Sequence, residues 1–280
     1  MKTTSKYMLL VLAAFALTAF TYKGKFGGKP ANVKWKTGVA LYTFNQHGLD
    51  KALKMAAQSG VKYVEGFSFY NLGPDFKNKA MGDLDAEGMA LLQKKLKDNG
   101  LKMSSMYVGD ANNEAEWKRY FEMGRKLGLK FLVCEPRQDL LDMVDSLAGV
   151  YKIKVAIHQH VKGSSVYWHP DAVLAATKGH KNIGACADLG HWVRSGLDPV
   201  KCLEILSGHV IAIHLKDVDK AGNDVELGTG SINFSGVIKE LKKQKFSGFV
   251  NVECEHNMSD NLEDVKQTLT YFNSAADKIN

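Results

Sequence analysis

The sequence predicts an α/β protein folded as one closed (β/α)8 barrel, and three observations carry that expectation. Eight short runs rich in Val, Ile and Ala alternate with segments whose apolar residues recur at helical spacing. Several helical segments stop at a glycine just before the next strand, as in Ser59-Gly60-Val61, Asn99-Gly100-Leu101 and Leu127-Gly128-Leu129. Glycine accepts the left-handed conformation that ends a helix. The first strand-to-helix turn reads Tyr42-Thr43-Phe44-Asn45-Gln46-His47 and lacks the glycine-rich fingerprint of an open, dinucleotide-binding sheet.

In chain order, a strand over 37–43 precedes a helix over 49–59, and a strand over 61–65 precedes a helix over 84–99. A third strand at 102–107 leads to a helix over 115–127, and a fourth strand lies at 130–135. The connection from there to a fifth strand at 152–158 is short, which makes its helix the weakest in the pattern. Strands at 183–188, 210–215 and 248–253 follow, with helices over 237–245 and 261–279. Asp171 and Asp198 flank prolines at further helix starts. The chain has 280 residues, 45% of them hydrophobic, which suits one large core; single barrels of this class run to about 250 residues.

At the N-terminus, Lys2 and Lys6 precede an uncharged run over 8–20 that turns polar at Tyr22-Lys23-Gly24-Lys25. Such a run fits the apolar region of a secretory signal, whereas a membrane span needs about 20 residues. The expected organisation is a signal peptide over 1–21, a tether over 22–36 and a barrel over 37–280, the protein being exported, to a periplasm, with no stable membrane span after signal removal. The formal charge is +7, or +5 once Lys2 and Lys6 leave with the signal (7 − 2). Lysines lie among acids, as in Glu116-Trp117-Lys118-Arg119, which reads as a solvated surface and argues against a nucleic-acid partner. Four cysteines sit in apolar or helical runs without zinc-type pairing, so buried free thiols are expected.

Functional residues of such barrels cluster at the C-terminal strand ends. Those ends read Glu65, Glu135, His158, Asp188, His214 and Glu253, a metal ligand or acid/base group on six strands of eight. Alternation along the strands turns His158 with His160, His214 with Lys216, and Glu253 with Glu255 toward the barrel axis. Each alone has an ordinary structural reading: a hydrogen-bonded histidine, Asp188 as a helix cap, Glu65 paired with a lysine. Together, His158, Asp188, His214 and Glu253 form a mixed imidazole–carboxylate set suited to a divalent metal such as Mn, Zn, Co, Fe or Mg.

The chain resembles the xylose isomerase-like barrels, the sugar phosphate isomerase/epimerases whose superfamily also holds inosose dehydratases and the endonuclease IV-like fold. The likeness runs from Lys36 onward through Val64-Glu65-Gly66, Ala187-Asp188-Leu189-Gly190-His191, Ile213-His214-Leu215-Lys216-Asp217, Gly228-Thr229-Gly230-Ser231-Ile232-Asn233 and Val252-Glu253. It implies a TIM barrel, a carbohydrate substrate, and a metal held by His158, Asp188, His214 and Glu253, with His191 near substrate or metal. One departure matters. The family residue on the fifth strand is usually Glu, and here the run is His158-Gln159-His160. The epimerases use two opposed glutamates, of which only Glu253 remains.

The expected chemistry is therefore proton abstraction beside a sugar carbonyl, with Glu253 as base and His160, Glu135 and Lys216 as candidate relays. A metal-dependent sugar isomerase or epimerase is the first reading. An elimination enzyme acting on 3-keto-glycosides is the second, and a non-catalytic carbohydrate-binding barrel the third. A DNA-repair nuclease, suggested by fold kinship, needs a larger histidine cluster and a substrate that export removes. Glu65, His191, Trp192 and Arg194 are the expected substrate contacts, the last two by stacking on and hydrogen-bonding a sugar.

Overall fold

A computed structural model describes residues 35–109 and 111–279; the expected signal segment and most of the expected tether lie outside them. The barrel begins with β1 (Lys36–Ala40), β2 (Tyr63–Phe67), β3 (Lys102–Tyr107) and β4 (Phe131–Cys134). It continues through β5 (Lys154–His158), β6 (Ile183–Asp188) and β7 (Val210–Leu215). A small antiparallel ribbon, β8 (Asp217–Val218) with β9 (Asp224–Val225), follows β7, and β10 (Phe249–Val252) completes the set. The eight barrel strands are parallel and neighbour one another in chain order, and β1 closes on β10 from Lys36–Phe249 to Val39–Val252.

Helices fill the outer ring: α1 (Leu49–Gln58), α2 (Ala86–Asp98), α3 (Glu114–Leu127), α4 (Leu141–Tyr151) and α5 (Pro170–Thr177). Then come α6 (Leu189–Arg194), α7 (Pro199–Ile205), α8 (Phe234–Lys243) and α9 (Leu262–Lys278). Local chemistry sets their ends. Asp85 and Asn113 accept from the amides of Gly88 and Glu116 at the starts of α2 and α3, and Gly128 at φ 74° stops α3. The short link between β4 and β5 does hold a helix, because Val144, Leu147 and Ala148 of α4 bury one face.

Side-chain alternation divides the apolar residues in two. Phe131, Val133, Ala156, Cys186, Ala212 and Phe249 fill the barrel interior, small residues offsetting the two phenylalanines. Val155, Ile157, Ile213, Leu215, Val250 and Val252 face the helices. Two strands depart from the sequence reading. β1 ends at Ala40 and turns into a 3-10 segment, Leu41–Phe44, where the Thr43 hydroxyl donates to Val252 O (3.4 Å) and accepts from Cys254 N (3.1 Å). β2 lies further along the chain than expected, with a register shift between Val64 and Glu65. β1 also starts at Lys36, a residue expected to close the tether.

All four cysteines are free; Cys134, Cys186 and Cys202 are buried and Cys254 half-buried. Burial pushes the Cys186 thiol up to about 11 and that of Cys202 to about 12, which keeps both protonated and inert. No helix among the described residues is long and apolar enough to cross a membrane.

Candidate active site

Above the apolar interior the inward positions turn polar, and β2, β3, β7 and β10 meet in one hydrogen-bonded layer. Ser105 Oγ donates to Glu65 Oε2 (2.6 Å), Asn251 Nδ2 donates to the same oxygen (3.2 Å), and His214 Nε2 lies 2.7 Å from Glu65 Oε1. A carboxylate only accepts, so the contact fixes the proton on Nε2 and leaves Nδ1 of His214 as the free donor atom. That Nδ1 lies 3.0 Å from Glu253 Oε2 and 3.8 Å from Asp188 Oδ2.

Asp188 does two jobs. Its Oδ1 accepts from His191 N (2.9 Å) and caps α6, while its buried Oδ2 has no hydrogen-bond partner among the described residues. His158 places Nε2 3.5 Å from that oxygen and Nδ1 3.6 Å from Glu135 Oε1. One ligand atom each from His158, Asp188, His214 and Glu253 fall within 4.8 Å of one another, and all four residues are buried. The four strands expected to supply a metal site therefore bring it together.

These residues fit a divalent cation. Asp188 Oδ2, His158 Nδ1 and His214 Nδ1 are buried polar atoms without hydrogen bonds among the described residues, an arrangement that is costly unless a further partner is present. Two imidazoles with two carboxylates are a donor set for Zn²⁺, Mn²⁺, Fe²⁺ or Co²⁺. Lys216 Nζ lies on the same carboxylates, 3.2 Å from Asp188 Oδ2 and 3.0 Å from Glu253 Oε2, and 2.5 Å from Glu255 Oε1. Burial works against charge on Lys216, Asp188 and Glu253 alike. Their mutual attraction wins, holding the lysine well above its ordinary value and both carboxyls well below theirs.

A second cluster sits beside the first. His160 Nδ1 is 2.5 Å from Glu135 Oε1, and Tyr107 OH donates to the same oxygen at 2.8 Å. Burial alone would raise the Glu135 carboxyl, but hydrogen bonds from His158, His160 and Ser165 hold it below the usual carboxylate range. Burial, helped by Lys216, His158 and His160, pushes His191 down to about 3 against the pull of Asp188 and keeps it neutral.

A cavity of about 300 Å³ opens over both clusters. His158, His160, His191, Lys216, Glu253 and Glu255 form one side, and Tyr42, Phe67, Phe69 and Tyr107 the other. Phe67 stacks on Tyr107 (5.6 Å, 11°), and Phe69, 53% exposed, stands edge-on to both. A sugar presents an apolar C–H face and hydroxyl edges, and the cavity offers a surface for each.

The family model described as "Xylose isomerase-like TIM barrel" matches residues 53–275. The chain belongs to that family. An inosose dehydratase of Clostridium botulinum is 25% identical over 138 residues, 42% of this chain and 46% of that protein. The chain thus spans about half the length of the curated relatives it matches. A structure of an uncharacterised protein from Parabacteroides distasonis is 33% identical, with 85% of this chain and 97% of that chain covered and a TM-score of 0.69. The IolI protein with a bound zinc atom shares the fold at a TM-score of 0.71 and 18% identity, covering 88% of this chain and 99% of that one.

Within this xylose isomerase-like barrel, three expected substrate contacts lie elsewhere. Glu65 is fully buried beneath His214 and does not line the cavity, because the β2 register points it into the interior layer. Trp192 is also fully buried: α6 turns its indole into the hydrophobic core, away from any sugar. Arg194 points outward, with Nη2 2.5 Å from Asp224 Oδ2 and Nε donating to Gly222 O (2.8 Å), so it fastens the β8–β9 ribbon. His191, His160 and Lys216 line the cavity, and Glu135 supports it from beside His160. The aromatic side and Glu255 were not among the expected site residues. Glu255 shares the inward parity of Glu253, and Phe67 and Phe69 follow Glu65 at steps of two, which is the signal that could have found them.

Proposed function

We propose that this chain is a metal-dependent enzyme of carbohydrates that removes a proton from the carbon beside a carbonyl and completes the reaction by elimination. The observation that carries the reading is the asymmetry of the cavity. One carboxylate base, Glu253, stands on β10, while β5 opposite presents an imidazole, His160, braced by Glu135. A bound divalent ion would supply Lewis acidity, lowering the cost of negative charge on the carbonyl oxygen. His158, Asp188, His214 and Glu253 would hold it.

Glu253 takes the proton from the α-carbon. The electron pair left behind forms a carbon–carbon double bond, and the bond from the β-carbon to its oxygen substituent breaks. His160, held as an imidazolium by Glu135, gives its Nε2 proton to the departing oxygen, so that the products are an unsaturated ketone and an alcohol or water. Lys216 stays between Asp188, Glu253 and Glu255 and keeps these carboxylates ionised. The aromatic side grips the apolar face of the ring and excludes water.

Support comes from the family, from the inosose dehydratase likeness and from His158 in place of a second carboxylate on β5. Sugar isomerisation or epimerisation is the second reading, favoured by the same His160: a proton returned to the opposite face of the carbon inverts it without breaking a carbon–oxygen bond. Proton NMR with a 3-keto-glycoside separates the two. Elimination releases the aglycone and an olefinic signal, and epimerisation gives neither. Sugar binding without turnover in the metal-loaded protein would defeat both and leave a carbohydrate-binding barrel. Export to a periplasm, a proposal from the N-terminal sequence, makes a free glycan-derived sugar a better candidate than a phosphorylated one; N-terminal sequencing of the cell-derived protein tests it.

A further inference from the structure

The end of the barrel opposite the active site carries a depression of about 420 Å³ with a floor that includes Phe131 and Phe249. Lys36, Lys130, Lys154 and Lys245 rim it, all exposed, and no Asp or Glu lines it. Lysines on the helix faces are paired, as in Lys94–Asp98 (2.5 Å) and Lys118–Glu114 (2.7 Å). Among the described residues the four rim lysines have no such partner, and Lys36 Nζ lies over the Phe249 ring at 5.0 Å. Four like charges around one basin repel one another, and an anionic surface relieves that repulsion.

The sequence adds to the same end. The chain enters β1 at Lys36, and the stretch 22–36 leading into it carries Lys23, Lys25, Lys29 and Lys34 with no Asp or Glu. Ahead of that stretch stands the uncharged run over 8–20. A basic stretch beside an apolar one is the charge pattern that anionic bilayers attract.

We infer that this lysine-rimmed end is a docking surface for an anionic lipid bilayer, with the catalytic mouth turned away from the membrane toward soluble substrate. The strands run from one mouth to the other, from Lys154 to His158 on β5, so the bilayer face and the chemistry occupy opposite ends of the cylinder.

The test is co-sedimentation of the full chain, as recovered from cells, with vesicles of phosphatidylcholine alone or with phosphatidylglycerol, compared with a Lys130→Gln/Lys154→Gln/Lys245→Gln variant. The variant keeps wild-type metal content and thermal melting, since these side chains touch neither the core nor the site. Expected are binding to the anionic vesicles only, its loss in high salt, and a partition coefficient about 100-fold lower in the variant. Equal binding by the variant, or equal binding to neutral vesicles, overturns the inference. So does binding of soluble inorganic polyphosphate without binding to vesicles, which would make the basin a site for a soluble anion.

Discussion

Glu65 shows how a residue that touches no substrate can govern the site. Its carboxylate fixes the tautomer of His214, so Glu65→Gln should weaken metal binding about 10- to 100-fold while the barrel stays folded. Competition against a chelating dye reads this directly, and unchanged affinity would show that His214 needs no such support. Lys216 makes the opposite case. Its ammonium neutralises Asp188, Glu253 and Glu255, so Lys216→Met should destabilise the metal-free protein by about 3 kcal/mol, as removing one partner of a buried ion cluster does. Added metal should recover more stability in the variant than in the wild type, because the competing cation is gone. Denaturant melts with and without metal measure both. The residues misplaced in the sequence reading share one physical cause. Trp192 and Arg194 sit where a loop was expected, and α6 decides burial there: its first turn starts on Asp188 and rotates the indole inward. Chain position alone carries no such rotation.

Among elements, the strands were legible because burial on both faces and period-two alternation leave a strong mark in composition. β3, β6 and β7 fall on the expected residues, and the inward parity of β5, β7 and β10 that drew the site together holds in the structure. What was not legible depends on contacts distant in sequence. The turn after β1 is set by Thr43 meeting β10, and the β8–β9 ribbon by one buried carboxylate. Asp217 Oδ2 accepts from the amides of Gly228 and Gly230 (2.9 Å each), and its Oδ1 from Val218 N (2.9 Å) and Ile232 N (3.3 Å). Two motifs that look separate in the sequence are thereby one structure. Asp217→Ala leaves those amides without acceptors and should cost about 2–3 kcal/mol. Faster amide exchange over 226–233 would localise the damage to the loop, and unchanged exchange there would deny the carboxylate this role.

For the whole molecule, the ligand set joins β5, β6, β7 and β10, nearly half of the barrel circumference. A bound ion ties these strands together in the folded state alone. At a free concentration of 100 times its dissociation constant it should therefore add about 2.7 kcal/mol of stability. For a chain of this size that corresponds to a rise in melting temperature of roughly 5–10 °C, lost on chelation. A scanning calorimetry trace that ignores both metal and chelator would count against the assigned ligands.

The lopsided cavity also bears on how such a protein diversifies. Its aromatic grip comes from Tyr42, Phe67, Phe69 and Tyr107, all in the first half of the polypeptide, and its proton-handling and ion-holding groups all come after residue 130. Choice of sugar and type of reaction are thus inscribed in separate stretches of the gene. Drift in the early loops can retune which glycan is accepted while the later strands preserve the chemistry, so close kin should differ in appetite sooner than in trade.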